Sequence, residues 1–158
     1  MKKINIKENM SKGLITVNWN VSMQTAAELM EEQRIRHLPV KDELDVIVGI
    51  LSAHDVNRAM NPDIPGFSPN RIVSEYMSWP VVTVDENLAV KDAAQGMIDE
   101  KISAFLVTDK TKNIVGIITS EDLLKVLLSL FSSPSVLTRL SYSPVVGELL
   151  REAQSTGI

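Results

Sequence analysis

The 158-residue chain has room for one domain or two small ones, and at this length a hydrophobic core holds without disulfides or metal. It contains no cysteine, which excludes thiolate zinc sites, iron–sulfur clusters, disulfide scaffolds and a cysteine nucleophile, and points to the cytoplasm. With 16 Lys and Arg against 20 Asp and Glu the formal charge is −4, without the basic stripe of a duplex binder, and 4% aromatics disfavour base-stacking platforms, so no nucleic-acid partner is expected.

Met1-Lys2-Lys3 opens like the charged end of a signal peptide, but Asn5, Lys7, Glu8 and Asn9 stand where its apolar stretch would have to be. Residues 14–17 form a short β-branched run and read as a strand. Met23, Ala26, Ala27 and Met30 recur at i, i+3, i+4 and i+7 with Glu28 and Glu31 between them, which predicts an amphipathic helix over 22–33. Its Ala-Ala step predicts close approach to a neighbour. Residues 38–40 read as a second strand, and the apolar run 46–51 as a third, covered on both faces. That run is far short of the ~18 residues a membrane helix needs, so no membrane association is expected. A helix follows over 53–60. Pro62, Pro65, Gly66 and Pro69 then interrupt the pattern.

The same order returns after this break: strand 81–84, helix 88–100, strands 105–108 and 114–118, and helix 120–131. Positions 8–59 align with 75–126 without a gap at an offset of 67, and 17 of the 52 pairs are identical, where chance gives roughly three. The chain is a tandem duplication. Its expected fold class is α/β, with two β-α-β-β-α repeats at 5–60 and 72–131 joined by a linker at 61–71. A tail covers 132–158, in which Ser143, Pro144, Val145, Val146, Leu149 and Leu150 predict a short amphipathic helix.

One local pattern occurs in both copies: Gly49-Ile-Leu-Ser52-Ala-His-Asp55 and Gly116-Ile-Ile-Thr119-Ser-Glu-Asp122. An apolar strand runs into a hydroxyl residue, and an Asp follows three positions later. Two roles fit. The pair can be a helix cap, with Ser52 or Thr119 accepting from the N3 amide and the acid favoured by the helix dipole. Alternatively, the carboxylate accepts the two hydrogens of a ribose diol beside amides and a hydroxyl suited to an anion.

These junctions, the segment Ile35-Arg36-His37-Leu38-Pro39-Val40, and the entry Met77-Ser78-Trp79-Pro80-Val81-Val82-Thr83-Val84 resemble the cystathionine-beta-synthase (CBS) domain pair, or Bateman module, over about residues 5–131. The resemblance implies two α/β units related by a pseudo-twofold axis. It implies a regulatory, non-catalytic module that holds adenosine compounds such as AMP, ADP, ATP or S-adenosylmethionine in two clefts between the repeats. It assigns ribose to Asp55 and Asp122, with Ser52 and Thr119 beside sugar and phosphate, and places Thr16 and Thr83, with neighbouring backbone, near adenine. Arg36 and His37 precede the second strand, where family members contact phosphate or base. In the second copy Ser103 and Ala104 replace them. The expectation is a stronger phosphate cleft where Arg36 and His37 join Asp55, and a weaker one, or one suited to an uncharged adenosine, at the other repeat. Arg58, three residues after Asp55, can reach a phosphate or remain a solvated charge, and Lys125 holds the matching place. His54 reads as a solvated residue of the first helical turn.

The chain has only two histidines, 37 and 54, so a multi-histidine metal site within one chain is excluded and no metal is expected. It carries neither a G-x-S-x-G elbow nor a phosphate-cradling G-x-x-x-x-G-K-[ST] loop. Asp55 and Asp122 as an acid/base pair would need one of them neutral, and a helix N-terminus favours ionisation. The expectation is therefore a non-enzymatic sensor that binds an adenosine ligand, forms a homodimer and controls an unknown partner protein. The alternative is a ligand-free dimerisation scaffold with the same fold.

Overall fold

The computed structural model describes residues 4–65, 67–68 and 70–131; the predicted tail helix lies outside them. The first repeat contributes β1 (Val17–Asn18), α1 (Met23–Gln33), β2 (His37–Lys41), β3 (Ile47–Ser52) and α2 (Ala53–Ala59). The second contributes β4 (Thr83–Asp85), α3 (Val90–Glu100), β5 (Ala104–Thr108), β6 (Ile114–Thr119) and α4 (Ser120–Ser129). The α/β class and the β-α-β-β-α order stand as expected. Each repeat builds a three-stranded sheet in chain order, in which the first pair is parallel and the second antiparallel. The parallel pairing follows from the helix between its strands, and the antiparallel one from a tight hairpin.

The helices form where their apolar faces predict. Met23, Ala26 and Met30 of α1 and Ala93 and Met97 of α3 are buried, whereas the intervening acids are exposed. Ser22 caps α1 by accepting from the Thr25 amide at 3.1 Å. Both helices end on a residue in the left-handed conformation, Arg34 at φ 53° and Lys101 at φ 54°, where glycine is the usual occupant. The first strands start later than expected. β1 begins at residue 17 and not 14, and β4 at 83 and not 81, because only there does the chain meet its ladder partners, Val40 and Leu106.

The segments that lead into the repeats are exchanged. Residues 4–11 pack on the second repeat: Ile6 donates to the Leu88 carbonyl at 3.0 Å, Lys7 meets Glu86 at 2.7 Å, and Ser11 bridges Ile117 of β6. Residues 71–78 do the same for the first repeat. Val73 donates to Val21 at 3.0 Å, Ser74 to Trp19 at 2.8 Å, and Ser78 bridges Ile50 of β3. Each borrowed segment also satisfies a helix start, since the Val90 amide reaches the Ile4 carbonyl and the Met23 amide the Arg71 carbonyl, both at 2.9 Å. The fully buried Val73 accordingly belongs to the core around Met23, Leu38, Val40 and Leu51. Ile6 belongs to the core around Ala93, Phe105, Val107 and Ile118. The cores therefore do not divide along the repeat boundaries of the sequence.

This crossing explains the glycine shared by the two junctions. A Cβ on Gly116 would stand 2.7 Å from the Ser11 carbonyl oxygen and 2.8 Å from Met10 Sδ, and one on Gly49 would meet Met77 Sδ at 2.5 Å. The borrowed segments crowd a Cβ at both positions, with a backbone oxygen at Gly116 and a flexible methionine end at Gly49.

Candidate ligand-binding clefts

Each helix cap sits where an apolar strand stops. At the end of β3, Asp55 Oδ2 accepts from the Ser52 amide at 2.9 Å and from Ser52 Oγ at 2.6 Å, while Ser52 Oγ accepts from the Asp55 amide at 3.2 Å. At the end of β6, Asp122 Oδ2 accepts from the Thr119 amide at 2.9 Å and from Thr119 Oγ1 at 2.8 Å, with the return bond at 3.3 Å. The capping role is therefore present in both copies. It uses one carboxylate oxygen of each Asp. Among the described residues the other, Oδ1, has only a loose cation contact: Arg58 at 3.6 Å from Asp55, and Lys125 at 3.6 Å from Asp122. Cap and ligand acceptor are compatible on the same side chain.

Two cavities open at these junctions. One, of about 300 Å³, is bounded by Thr119, Glu121, Asp122 and Lys125 on one side and by 12–15, Arg34, Arg36 and His37 on the other. The second, of about 520 Å³, is bounded by Ser52, His54 and Asp55 on one side and by Pro80, Val81, Val82, Met97, Ile98 and 101–104 on the other. Both fall in the size range of small-molecule sites, about 300–1,000 Å³. In each, the junction comes from one repeat and the facing wall largely from the other.

That arrangement corrects one expectation. Arg36 does not share a cavity with Asp55 but faces Asp122, and it pairs with Glu121 at 3.3 Å. The reason is the twofold relation of the repeats, which sets the segment before β2 against the start of α4. His37 lies in the wall common to both cavities, with Nε2 2.8 Å from Ser103 Oγ. Burial, and then the neighbouring Arg36 charge, pushes its pKa below the ordinary 6.5, so it is neutral at pH 7. Lys125 and then Arg36 hold the Glu121 carboxyl below its usual value, and Glu121 in turn raises Lys125.

Three predicted residues stand outside the two cavities. Thr16 lines a separate shallow groove with Lys41 and Ile47, and the cavity contacts come from Gly13, Leu14 and Ile15 just before it. Thr83 is already in the β4 ladder opposite Leu106, and Pro80, Val81 and Val82 take the cavity position. Arg58 turns to Asp55 and lies 5.5 Å from the centre of the Tyr76 ring. Sequence reasoning did not single out Lys12, Arg34 and Lys101, which line the cavities, and His54 lines the Asp55 cavity from the first turn of α2. Arg34 and Lys101 occupy matching places in the two copies, a signal that a count of identities passes over.

The CBS domain family model matches residues 3–62 and 73–129. The chain belongs to the CBS domain family. Its CBS pair is 33% identical over 118 residues to the L-aspartate semialdehyde sulfurtransferase of Methanocaldococcus jannaschii, a match covering 75% of this chain but only 22% of that protein. It is 31% identical over 140 residues to the CBS domain-containing protein YhcV of Bacillus subtilis, covering 89% of this chain and 97% of YhcV. Among solved structures, the CBS domain pair of protein MJ0100 in complex with 5′-methylthioadenosine and S-adenosyl-L-methionine superimposes with a TM-score of 0.72 at 30% identity, covering 82% of this chain and all of that one. Proteins with this CBS pair thus include one that binds adenosine compounds. Among the described residues, no helix is long and apolar enough to cross a membrane, and no group of three or more His, Asp or Glu could hold a metal ion.

Proposed function

We propose that this CBS pair is a non-catalytic sensor that binds an adenosine compound, AMP, ADP, ATP or S-adenosylmethionine, and regulates a partner protein in the cytoplasm. The observation that carries this reading is the spare Oδ1 of Asp55 and of Asp122, each at the edge of a cavity after its twin oxygen has completed a helix cap. A ribose offers two vicinal hydroxyls, and an ionised carboxylate oxygen is their natural acceptor. The bound adenosine compounds of the MJ0100 pair support the same ligand class. Regulation follows if the ligand prefers one arrangement of the module over another, since a ligand indifferent to both shifts nothing. Leu124, Leu127 and Leu128 stand exposed on α4, and their apolar surface supports pairing of two copies into a homodimer. Light scattering of the full chain tests this, because a mass of 17.5 kDa at micromolar concentration refutes it.

A ligand-free dimerisation scaffold is the second reading, favoured by the completeness of both caps. Thermal melting separates the two. At 100 times its dissociation constant a ligand at one site adds about 2.7 kcal/mol, or roughly 5–10 °C for a chain of this size. Adenosine compounds are expected to give that shift and guanosine compounds less. No shift with AMP, ATP, S-adenosylmethionine or adenosine leaves the scaffold as the function.

A further inference from the structure

The two cavities follow one plan but differ in charge. Around Asp122 stand four cations, Lys12, Arg34, Arg36 and Lys125, against two carboxylates, Glu121 and Asp122, a net charge of +2. The Asp55 cavity is lined by one cation, Lys101, against one carboxylate, with Arg58 in contact with Asp55 at 3.6 Å but outside the lining. The difference arises at aligned positions. Arg36 is matched by Ser103, Glu121 by His54, and Lys12 by Trp79, which lies outside the Asp55 cavity. Lys125 is matched by Arg58, which keeps the same 3.6 Å contact to its Asp but lies over Tyr76 and does not line the Asp55 cavity. The wall facing Asp55 is instead apolar, built from Val81, Val82, Met97, Ile98 and Ile102.

Arg34 sharpens the contrast. It holds the left-handed position after α1 at φ 53° and ψ 43°, a conformation that costs a side-chain-bearing residue on the order of 1 kcal/mol relative to glycine. It nevertheless lines the Asp122 cavity. Glu121 serves as the common counterion, 3.3 Å from Arg36 and 3.0 Å from Lys125. These pairs are solvent-exposed and weakly held, so a multiply charged anion can take over both cations as Glu121 swings to water.

We propose that the two clefts are unequal receptors: the Asp122 cleft takes an adenosine ligand through its phosphates, and the Asp55 cleft takes an adenosine ligand whose 5′ substituent is uncharged and apolar. This rests on the adenosine reading above and adds the division of labour between the sites. Arg34 and Arg36 are its specificity-determining residues.

The test is calorimetric titration of the full chain with ATP and with 5′-methylthioadenosine, each alone and each in the presence of the other at saturation. The expected result is two sites that fill without competition, with ATP affinity falling steeply as salt rises and methylthioadenosine affinity insensitive to it. Arg36→Gln and Arg34→Gly are each expected to weaken ATP at least tenfold and to leave methylthioadenosine within twofold. Ligand-free Arg34→Gly is expected to melt no lower than the parent, because glycine suits the left-handed position better; this separates a lost phosphate contact from a damaged fold. Competition of the two compounds for a single site, or an equal loss of both in the arginine variants, overturns the division while leaving the adenosine reading in place. Failure of both compounds and of adenosine to bind overturns the adenosine reading itself.

Discussion

Replacing Gly116 by alanine tests the exchanged entry segments, on which the geometry of both clefts depends. The new Cβ would stand 2.7 Å from the Ser11 carbonyl oxygen and 2.8 Å from Met10 Sδ. The sulfur ends a flexible chain and can swing away, but the carbonyl cannot. Ser11 is held to Ile117 by two backbone hydrogen bonds of 2.9 and 3.0 Å, next to the substituted residue. Opening room means stretching one or both bonds, at about 0.5–1.5 kcal/mol each, on top of the usual overpacking cost of roughly 1–3 kcal/mol. Alanine recovers about 0.5–1 kcal/mol of backbone entropy within a strand, so the expected net loss is about 2–3 kcal/mol. For a chain of this size that is a fall in Tm of roughly 5–10 °C. Gly49→Ala supplies the control. Its closest contact is Met77 Sδ at 2.5 Å, and the nearest backbone atom, the Ser78 oxygen, is 3.2 Å away, so a smaller loss of about 1 kcal/mol is expected. Thermal and urea unfolding followed by circular dichroism measure both. A Gly116→Ala protein that melts within 1 °C of the parent, or a Gly49→Ala protein that is the less stable of the two, refutes the close crossing of residues 10–11 over β6.

Gly96→Ala should act in the opposite sense: it removes a mid-helix glycine from α3 for a contact of 3.2 Å with the Phe105 ring edge, and a gain of up to about 1 kcal/mol in urea unfolding is expected. A loss there would mean that Phe105 cannot give by a few tenths of an ångström. Asp122→Ala deletes the acceptor of two cap bonds and should cost about 1–2 kcal/mol, with Asp122→Asn costing less because it keeps one oxygen; equal losses would show that the oxygen Asn keeps does not accept the Thr119 bonds. The lowered pKa of His37 means that the unfolded chain binds its proton first, so stability should fall as pH drops below about 6.5 and level off beneath the depressed native value. His37→Gln should flatten that limb, and melting curves at pH 5 and pH 7.5 that keep the parent's difference would refute the assignment.

Helices α1 and α3 were legible to within two residues because Met23, Ala26 and Met30, and their partners Ala93 and Met97, make a 3.6-residue rhythm that burial then fills. The hairpin strands were equally plain as unbroken apolar runs. The starts of β1 and β4 were not, since a run of β-branched residues shows extended chain but not where the partner strand begins. Thr16 and Thr83 each stand one residue beyond the cavity wall, next to the lining Ile15 and Val82. The partnership of Arg36 with Asp122 was beyond local spacing altogether: 86 positions separate them, and only the relation of the two repeats brings them together. A trace of that relation was nevertheless written in the chain, because Gly49 and Gly116 are identical for a reason that neither repeat contains by itself.

The trading of the first dozen residues limits how the molecule can be divided. A fragment cut within 61–71 carries a leader that fits only the absent half and lacks the leader that fits its own, leaving Ile6 exposed and the socket of Val73 empty. Neither half is a self-sufficient part, although each is a complete copy of the duplicated unit. Two such fragments regain full cores only by lending each other their leaders, so what behaves as the indivisible piece here is the pair, and one chain is the covalent form of a couple.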